Sequence, residues 1–162
     1  MTPVLAVCAL LAASAVTAAG IAWWVRRRWL VVSIDGDSMR PTLRPGDRVV
    51  ARRTTLAGIH RGDVVVVRTP AGWPTGPPAG LLVKRAVALP GDPAPPGLPS
   101  APSSAPSAPP DRHRLVPPGH LVLFGDNPPA SRDSRQVGYF TEADLLGVVV
   151  APRRFTGRRD PT

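Results

Sequence analysis

Apolar positions divide the chain into one long continuous run and a series of short, valine-rich runs. Residues 3–25 carry no charged side chain. A helix of that length spans roughly 35 Å, enough to cross the apolar core of a bilayer. The later runs are β-branched and separated by Gly, Pro and Asp, which is typical of strands joined by turns. The predicted strands are 30–34, 48–51, 63–68, 81–89, 120–124 and 145–151.

One helical turn, capped by Thr141, is predicted over 141–146. No other segment after residue 30 keeps a helical period, so the pattern predicts a mainly β domain over 30–152. Residues 93–110 are rich in Pro, Ala and Ser, and we expect an extended, solvated linker that interrupts this domain. The tail, 153–162, is predicted to be disordered.

Residues 1–29 are predicted to form a retained, single-pass transmembrane anchor. The alternative is a cleaved secretory signal, which needs a basic start, and the first residues carry no basic side chain. Tryptophans flank an arginine cluster at the end of the apolar run, as expected where a helix reaches the lipid headgroups. They are Trp23, Trp24, Arg26, Arg27, Arg28 and Trp29.

A second loop, 69–80, is rich in Pro and Gly and carries Trp73 near its centre. Contact of this tryptophan with the membrane surface and packing against the domain are equally open interpretations. By the positive-inside rule, the arginines that follow the apolar run favour a cytoplasmic location for 30–152.

The formal charge of +9 raises the question of nucleic-acid binding. The arginines are spread along the chain and are not interleaved with aromatic residues, so attraction to anionic membrane lipid is the preferred explanation. Cys8 is the single cysteine, which excludes a disulfide within the chain. The three histidines lack partners at ligand spacing, and we predict no metal and no cofactor.

The basic side chains are almost all arginine: nineteen of twenty, with Lys84 the single lysine. Arginine does not lose its proton in a protein, whereas a desolvated lysine can. Strand alternation places Lys84 on one face with Leu82 and Ala86, which favours burial and a pKa low enough for general-base catalysis. The alternative is a solvated lysine left by chance in an arginine-rich composition.

Ser38 lies on a turn bounded by Gly36 and Pro41. A serine becomes a nucleophile only when a base takes its proton. No histidine has a suitable context, so Ser38 and Lys84 predict a Ser/Lys hydrolase. A sharp turn also leaves backbone N–H groups free to stabilise the oxyanion of the tetrahedral intermediate.

Five polar or charged side chains follow the predicted strand 120–124 closely. A solvated loop is the simpler interpretation of this cluster. Alternatively, Asp133 and Arg135 form an ion pair, and Ser131 hydrogen-bonds the amine of Lys84 and aims it.

Together these segments resemble the type I signal peptidases, membrane-bound Ser/Lys proteases that remove signal peptides from exported proteins. The resemblance covers residues 30 to about 150 in order and spacing. The matching strings are Ser-Met-Arg-Pro-Thr-Leu at 38–43, Gly-Asp-Arg-Val-Val at 46–50, Arg-Gly-Asp-Val-Val at 61–65, Lys-Arg at 84–85 with Pro-Gly-Asp at 90–92, and Gly-Asp-Asn at 125–127 followed by Ser-Arg-Asp-Ser-Arg at 131–135 and Gly138.

The resemblance implies an antiparallel β-sheet catalytic domain of the signal-peptidase and LexA-like type. It implies that Ser38 is the nucleophile, Lys84 the general base, and the Ser38 backbone N–H an oxyanion donor. An orienting hydroxyl at Ser131 and structural roles for Asp126, Asp133 and Arg135 are also implied, with Met39 and Pro41 at the substrate groove. The partners would be precursor proteins with signal or leader peptides, and no cofactor is implied.

The chain departs from the family pattern in several places. Gly36 stands where some members have a serine that donates to the oxyanion, Pro128 replaces an arginine, and Tyr139-Phe140 replaces Pro-Val. A specialised maturation peptidase of the same family is therefore an alternative. The resemblance also implies a domain on the extracytoplasmic face of the cell membrane, against the positive-inside rule.

Two other classes of protein share some of these features. A self-cleaving regulator of the LexA type shares the Ser/Lys pair but normally carries a DNA-binding domain. A non-catalytic, membrane-tethered β module that binds partners is the remaining alternative.

Overall fold

The computed structural model describes residues 3–70, 80–99 and 114–153. A long helix, α1, precedes seven strands that form one sheet, in the order β1-β2-β7-β3-β4-β5-β6. Every strand pair in this sheet is antiparallel, which confirms the mainly β prediction. The elements are α1 Pro3–Arg28, β1 Trp29–Ser33, β2 Arg48–Arg52, β3 Val64–Arg68, β4 Leu81–Ala88, β5 His120–Phe124, α2 Ser134–Val137, β6 Phe140–Thr141 and β7 Leu145–Arg153.

All six predicted strands are present, with ends that differ by at most two residues from those expected. The predicted turn after Thr141 is a single 3-10 turn over Glu142–Asp144, and the Thr141 hydroxyl donates to Asp144 Oδ2 at 2.7 Å. Among the strands and α-helices of the described residues, two were not predicted, namely β6 and α2. Each has four residues or fewer, too short for an alternating or helical pattern to be recognised.

Strand β7 joins the two halves of the sheet because it pairs with β2 on one side and β3 on the other. Both pairings contain a register shift, and such bulges increase the twist of a sheet. Gly147 lies very close to the backbone after β2. A Cβ there would stand 2.5 Å from the carbonyl oxygen of Arg52, so only glycine fits without a backbone shift.

The buried side chains form three apolar clusters. The first contains Phe140, Leu121 and Leu123, all fully buried, and packs β5 and β6 against β3 and β7. The second contains Met39 and Leu43, which come from the segment that follows β1. That segment is therefore anchored in the core. The third cluster is smaller and lies where β4 meets β5.

The first residues of the predicted linker are packed against the domain and are not fully solvated. Pro93 pairs with Leu115, and the N–H of Ala94 donates to the carbonyl of Arg114 at 2.7 Å. Leu98 packs on the third cluster because it is apolar and can cover exposed core surface. The rest of that linker lies outside the described residues.

Two other predictions also fall outside the described residues, either wholly or in part. The loop around Trp73 lies in the gap between residues 70 and 80. The predicted tail begins at Arg153, which still belongs to β7, and the residues after it are not described.

Helix α1 has the extent expected of the N-terminal apolar run and leads directly into β1. The N–H of Arg53 donates to the carbonyl of Arg28 at 2.9 Å, so the end of α1 is fixed to the loop after β2. Within the described residues, no helix combines the length and apolar character needed to cross a membrane. The predicted transmembrane anchor is therefore not supported.

Replacement of Phe140 by Ala should lower the free energy of unfolding by about 3–5 kcal/mol, because it leaves a cavity in the first cluster. Urea denaturation followed by circular dichroism measures this change. The matched truncation Val31→Ala, at a side chain that is 64% exposed, should change the value by less than about 0.5 kcal/mol. Equal losses in the two variants would contradict the assigned core.

Candidate active site

Ser38 lies in the turn that follows β1 and is half-buried. The next residue, Met39, is only 1% exposed, and Leu43 is also buried in the second cluster. The N–H of Ile34 donates to the carbonyl of Asp47 at 2.9 Å, which closes the base of the loop. Buried anchors therefore hold the backbone of Ser38 in place while its side chain stays accessible.

Lys84 occupies the middle of β4 and is 3% exposed, as strand alternation predicted. Its Nζ donates a hydrogen bond to Ser131 Oγ at 3.0 Å. Burial is the largest influence on this amine and lowers its pKa below the ordinary lysine value. The charge of Asp133 acts in the opposite direction, and the charge of Arg135 lowers the pKa further.

Ser131 connects Lys84 to a buried carboxylate. Its Oγ donates to Asp133 Oδ2 at 2.6 Å, so the single hydroxyl proton is committed to that contact. The hydroxyl can then only accept from Lys84, whose Nζ acts as the donor. In a neutral amine, this arrangement leaves the lone pair of Nζ free to accept another proton.

Asp133 is fully buried and accepts hydrogen bonds at both oxygens. Burial alone would raise its pKa. Hydrogen bonds from the Arg135 guanidinium, the Gly125 N–H and the Ser131 hydroxyl outweigh that effect, and the pKa falls to about 2. The predicted ion pair between Asp133 and Arg135 is present, at 2.5 Å.

The short helix α2 fixes this carboxylate to the sheet. Asp133 caps α2, and Gln136 accepts a hydrogen bond from the Asp133 N–H at 2.8 Å, completing a capping box. Ser134 Oγ accepts from the N–H of Leu123 in β5 at 2.9 Å. The Asp-Ser-Arg-Gln sequence at 133–136 is a capping-box pattern, from which the start of α2 could have been predicted.

A second ion pair lies beside the first network. Asp126 pairs with Arg85 at 2.5 Å and accepts from the Thr42 hydroxyl at 2.5 Å. Burial tends to raise the Asp126 pKa, but hydrogen bonds from Arg85 and Thr42 lower it overall. Arg85 also donates to the carbonyl of Gly62 at 2.8 Å. Thr42 and Arg85 were not among the predicted site residues, although Arg85 adjoins Lys84.

Gly125 brings the serine turn and the lysine network together. A Cβ on Gly125 would overlap the Ser131 side chain and stand 2.6 Å from the Ser38 carbonyl oxygen. Two residues further on, the backbone N–H of Asn127 donates to the Ser38 carbonyl at 2.9 Å. The side-chain NH₂ of Asn127 donates to the Asp37 carbonyl at 3.1 Å. The Ser38 backbone therefore lies directly against the segment that carries Ser131.

The structure gathers most of the predicted site residues in one region, with Ser38 on one side and Lys84, Ser131, Asp133 and Arg135 on the other. Gly36 and Pro41 are exposed on either side of Ser38. Met39 is buried in the second cluster, and its place at the substrate groove stays a prediction.

A family model described as "Signal peptidase, peptidase S26" matches residues 8–94 and 100–153. The chain belongs to this family. The match includes the Ser38 turn, β4 with Lys84, and the segment from Gly125 to Arg135. The family assigned from sequence motifs is thereby confirmed.

Named relatives include organellar and bacterial proteins. "Mitochondrial inner membrane protease subunit 1" of Xenopus tropicalis is 36% identical over 72% of this chain and 64% of that protein. The Homo sapiens protein of the same name is 36% identical over 67% and 59%. "Probable signal peptidase I-1" of Synechocystis sp. is 29% identical over 70% and 65%. The chain therefore spans about three-fifths of the length of these relatives.

The depressed pKa of Asp133 should make stability depend on acid pH. The stabilisation from its charged form is complete above the unfolded-state pKa near 4 and is lost as the pH falls towards about 2. Its size is about 2 kcal/mol. Asp133→Asn should therefore lower the free energy of unfolding at pH 6 and remove much of its decline below pH 4.

Urea denaturation at pH 6, 4 and 2.5 tests this expectation for both proteins. Val31→Ala, which changes an exposed strand residue, serves as the control and should keep the wild-type pH dependence. An Asp133→Asn protein with the wild-type decline between pH 4 and 2.5 would contradict the role assigned to this carboxylate.

Proposed function

We propose that this protein is a membrane-associated serine endopeptidase that removes signal or leader peptides from precursor proteins. The observation that carries the proposal is the single lysine of the chain, buried, with a lowered pKa and aimed by Ser131. Membership of the signal peptidase family supports the same activity.

In this mechanism the neutral amine of Lys84 removes the proton from Ser38 Oγ as that oxygen attacks the scissile carbonyl. The tetrahedral intermediate carries an oxyanion, and in this mechanism the backbone N–H groups of Ser38 and Gly36 stabilise it. Protonated Lys84 then gives its proton to the leaving amine. It next activates the water molecule that hydrolyses the acyl-enzyme.

The open edges of the sheet support binding of an extended substrate. Strand β1 ends the strand order, so one side of it has no neighbour in the described sheet. Strand β5 pairs with β4 only from Arg85 onward, so residues 81–84 have no strand partner on that side within the described part of the chain. An extended peptide can add to such edges through backbone hydrogen bonds. Valine-rich walls favour small residues at the −1 and −3 positions.

Association with a membrane is proposed for α1. Apolar side chains on this helix are exposed, among them Leu10, Leu11 and Val16. Near its end, Arg27 lies over the Trp23 ring at 4.2 Å, an arrangement suited to the headgroup layer. The proposed location of the catalytic domain is the extracytoplasmic face of the cell membrane, where exported precursors emerge.

A dedicated maturation peptidase is the second candidate. The similarity to proteins named inner membrane protease subunits favours it, as does the departure at Pro128. A general enzyme would cleave many unrelated precursors. A dedicated one would cleave only a few.

Ser38→Ala and Lys84→Arg should each lower cleavage of a precursor by at least about a thousandfold, because the first removes the nucleophile and the second supplies a side chain that cannot become neutral. Cleavage in detergent, followed by gel electrophoresis, measures the loss. Thr69→Val, which removes a hydroxyl that donates to the Gly80 carbonyl at 3.0 Å, serves as the matched control and should retain activity. Full activity of the Lys84→Arg protein would eliminate the mechanism.

Membrane association should depend on the apolar surface of α1. In cell fractionation, we expect the wild-type protein in the membrane pellet and Leu11→Asp partly in the supernatant, since a charge there opposes contact with lipid. Leu115→Asp, at a similarly exposed leucine of the catalytic domain, is the control and should stay in the pellet. A wild-type protein in the supernatant, or equal behaviour of both variants, would refute attachment through α1.

A further inference from the structure

A recess beside the lysine network has no part in the mechanism described above. It has a volume of about 530 Å³, is open to solvent, and is lined by Pro129, Ala130, Ser131, Arg132 and Gln136. Ser131 forms one wall and also contacts Lys84 Nζ at 3.0 Å. The recess therefore begins one side chain away from the proposed general base.

The carboxylates of this segment are already paired. Asp133 is fully buried and bound by Arg135, and Asp126 is bound by Arg85. Arg132, in contrast, is exposed and has no carboxylate partner among the residues that the structure describes. Its guanidinium is thus the unneutralised charge on the wall of the recess.

Gln136 adds a second hydrogen-bond donor. Its Oε1 accepts from the Asp133 N–H at 2.8 Å, which leaves the side-chain amide NH₂ to face other partners. Pro129 and Ala130 belong to a 3-10 turn and give the recess a short apolar floor. A guanidinium and an amide NH₂ beside a small apolar surface are suited to the carboxylate of an aspartate or glutamate side chain.

We propose that this recess binds an acidic side chain of the precursor within two residues of the cleaved bond, with Arg132 as the specificity-determining residue. The placement rests on Ser131, which lines the recess and also contacts Lys84 Nζ at 3.0 Å. The inference rests on the proposed peptidase function and deepens it by naming a feature of the substrate.

The test uses the full-length protein in detergent and a panel of peptides that share one cleavage sequence. A single position is varied among Asp, Asn and Lys, at each of the two residues on either side of the cleaved bond. We expect one position at which the wild type prefers Asp to Asn by about tenfold in kcat/KM. Arg132→Glu should reverse this order and prefer Lys at the same position.

Arg68→Glu is the matched control, because it makes the same charge change at an exposed arginine at the end of β3. It should keep the wild-type preference, whereas a general effect of net charge would alter both variants alike. Only the ratio between peptides is compared within each variant, so a partial loss of folded enzyme does not affect the result.

Three results would overturn the inference: no position with a preference for Asp, the same preference in Arg132→Glu as in the wild type, or a reversal in both variants. Ser38→Ala separates this failure from failure of the function. If the wild type cleaves the panel and Ser38→Ala does not, the peptidase function stands even when the preference is absent. If the wild type cleaves none of the peptides, both proposals fail.

Discussion

The hydrogen bond between Lys84 and Ser131 is the interaction on which the site depends. It orients a buried amine that has no direct carboxylate partner among the described residues. A buried ammonium is costly unless it is paired, and loss of the proton removes that cost. Asp133 accepts a hydrogen bond from Ser131, and its charge is neutralised by the ion pair with Arg135. The network therefore orients Lys84 while its pKa stays depressed.

The sheet keeps the amine of Lys84 buried and holds the serine turn beside it. Apolar β4 neighbours desolvate the amine, and the core anchors of Met39 and Leu43 hold the serine turn. Glycine at 125 allows the serine backbone and Ser131 to approach the same point, since any side chain there would displace one of them. A second ion pair, between Arg85 and Asp126, fastens β4 to the segment after β5, and Asp126 also accepts from Thr42 of the serine loop.

Much of this could be predicted from the sequence, because local patterns determine strands and the faces of their residues. Alternation along β4 correctly indicated burial of Lys84, and six strands followed from valine-rich runs. Contacts between segments far apart in the sequence could not be predicted from such local patterns. Thr42 and Asp126 are 84 positions apart, and no periodic pattern of the sequence predicts their hydrogen bond. The burial of Met39 likewise depends on how the whole sheet curls around the loop.

The most direct test of the account is an NMR titration of the lysine side chain in protein labelled with ¹³C at lysine Cε. Lys84 is the only lysine, so a single signal reports its protonation. We predict a midpoint clearly below the ordinary value of 10.5 in the folded protein and a return to that value in urea. A folded-state midpoint at or above 10.5 would mean that the amine stays charged at neutral pH and would contradict its assignment as the general base.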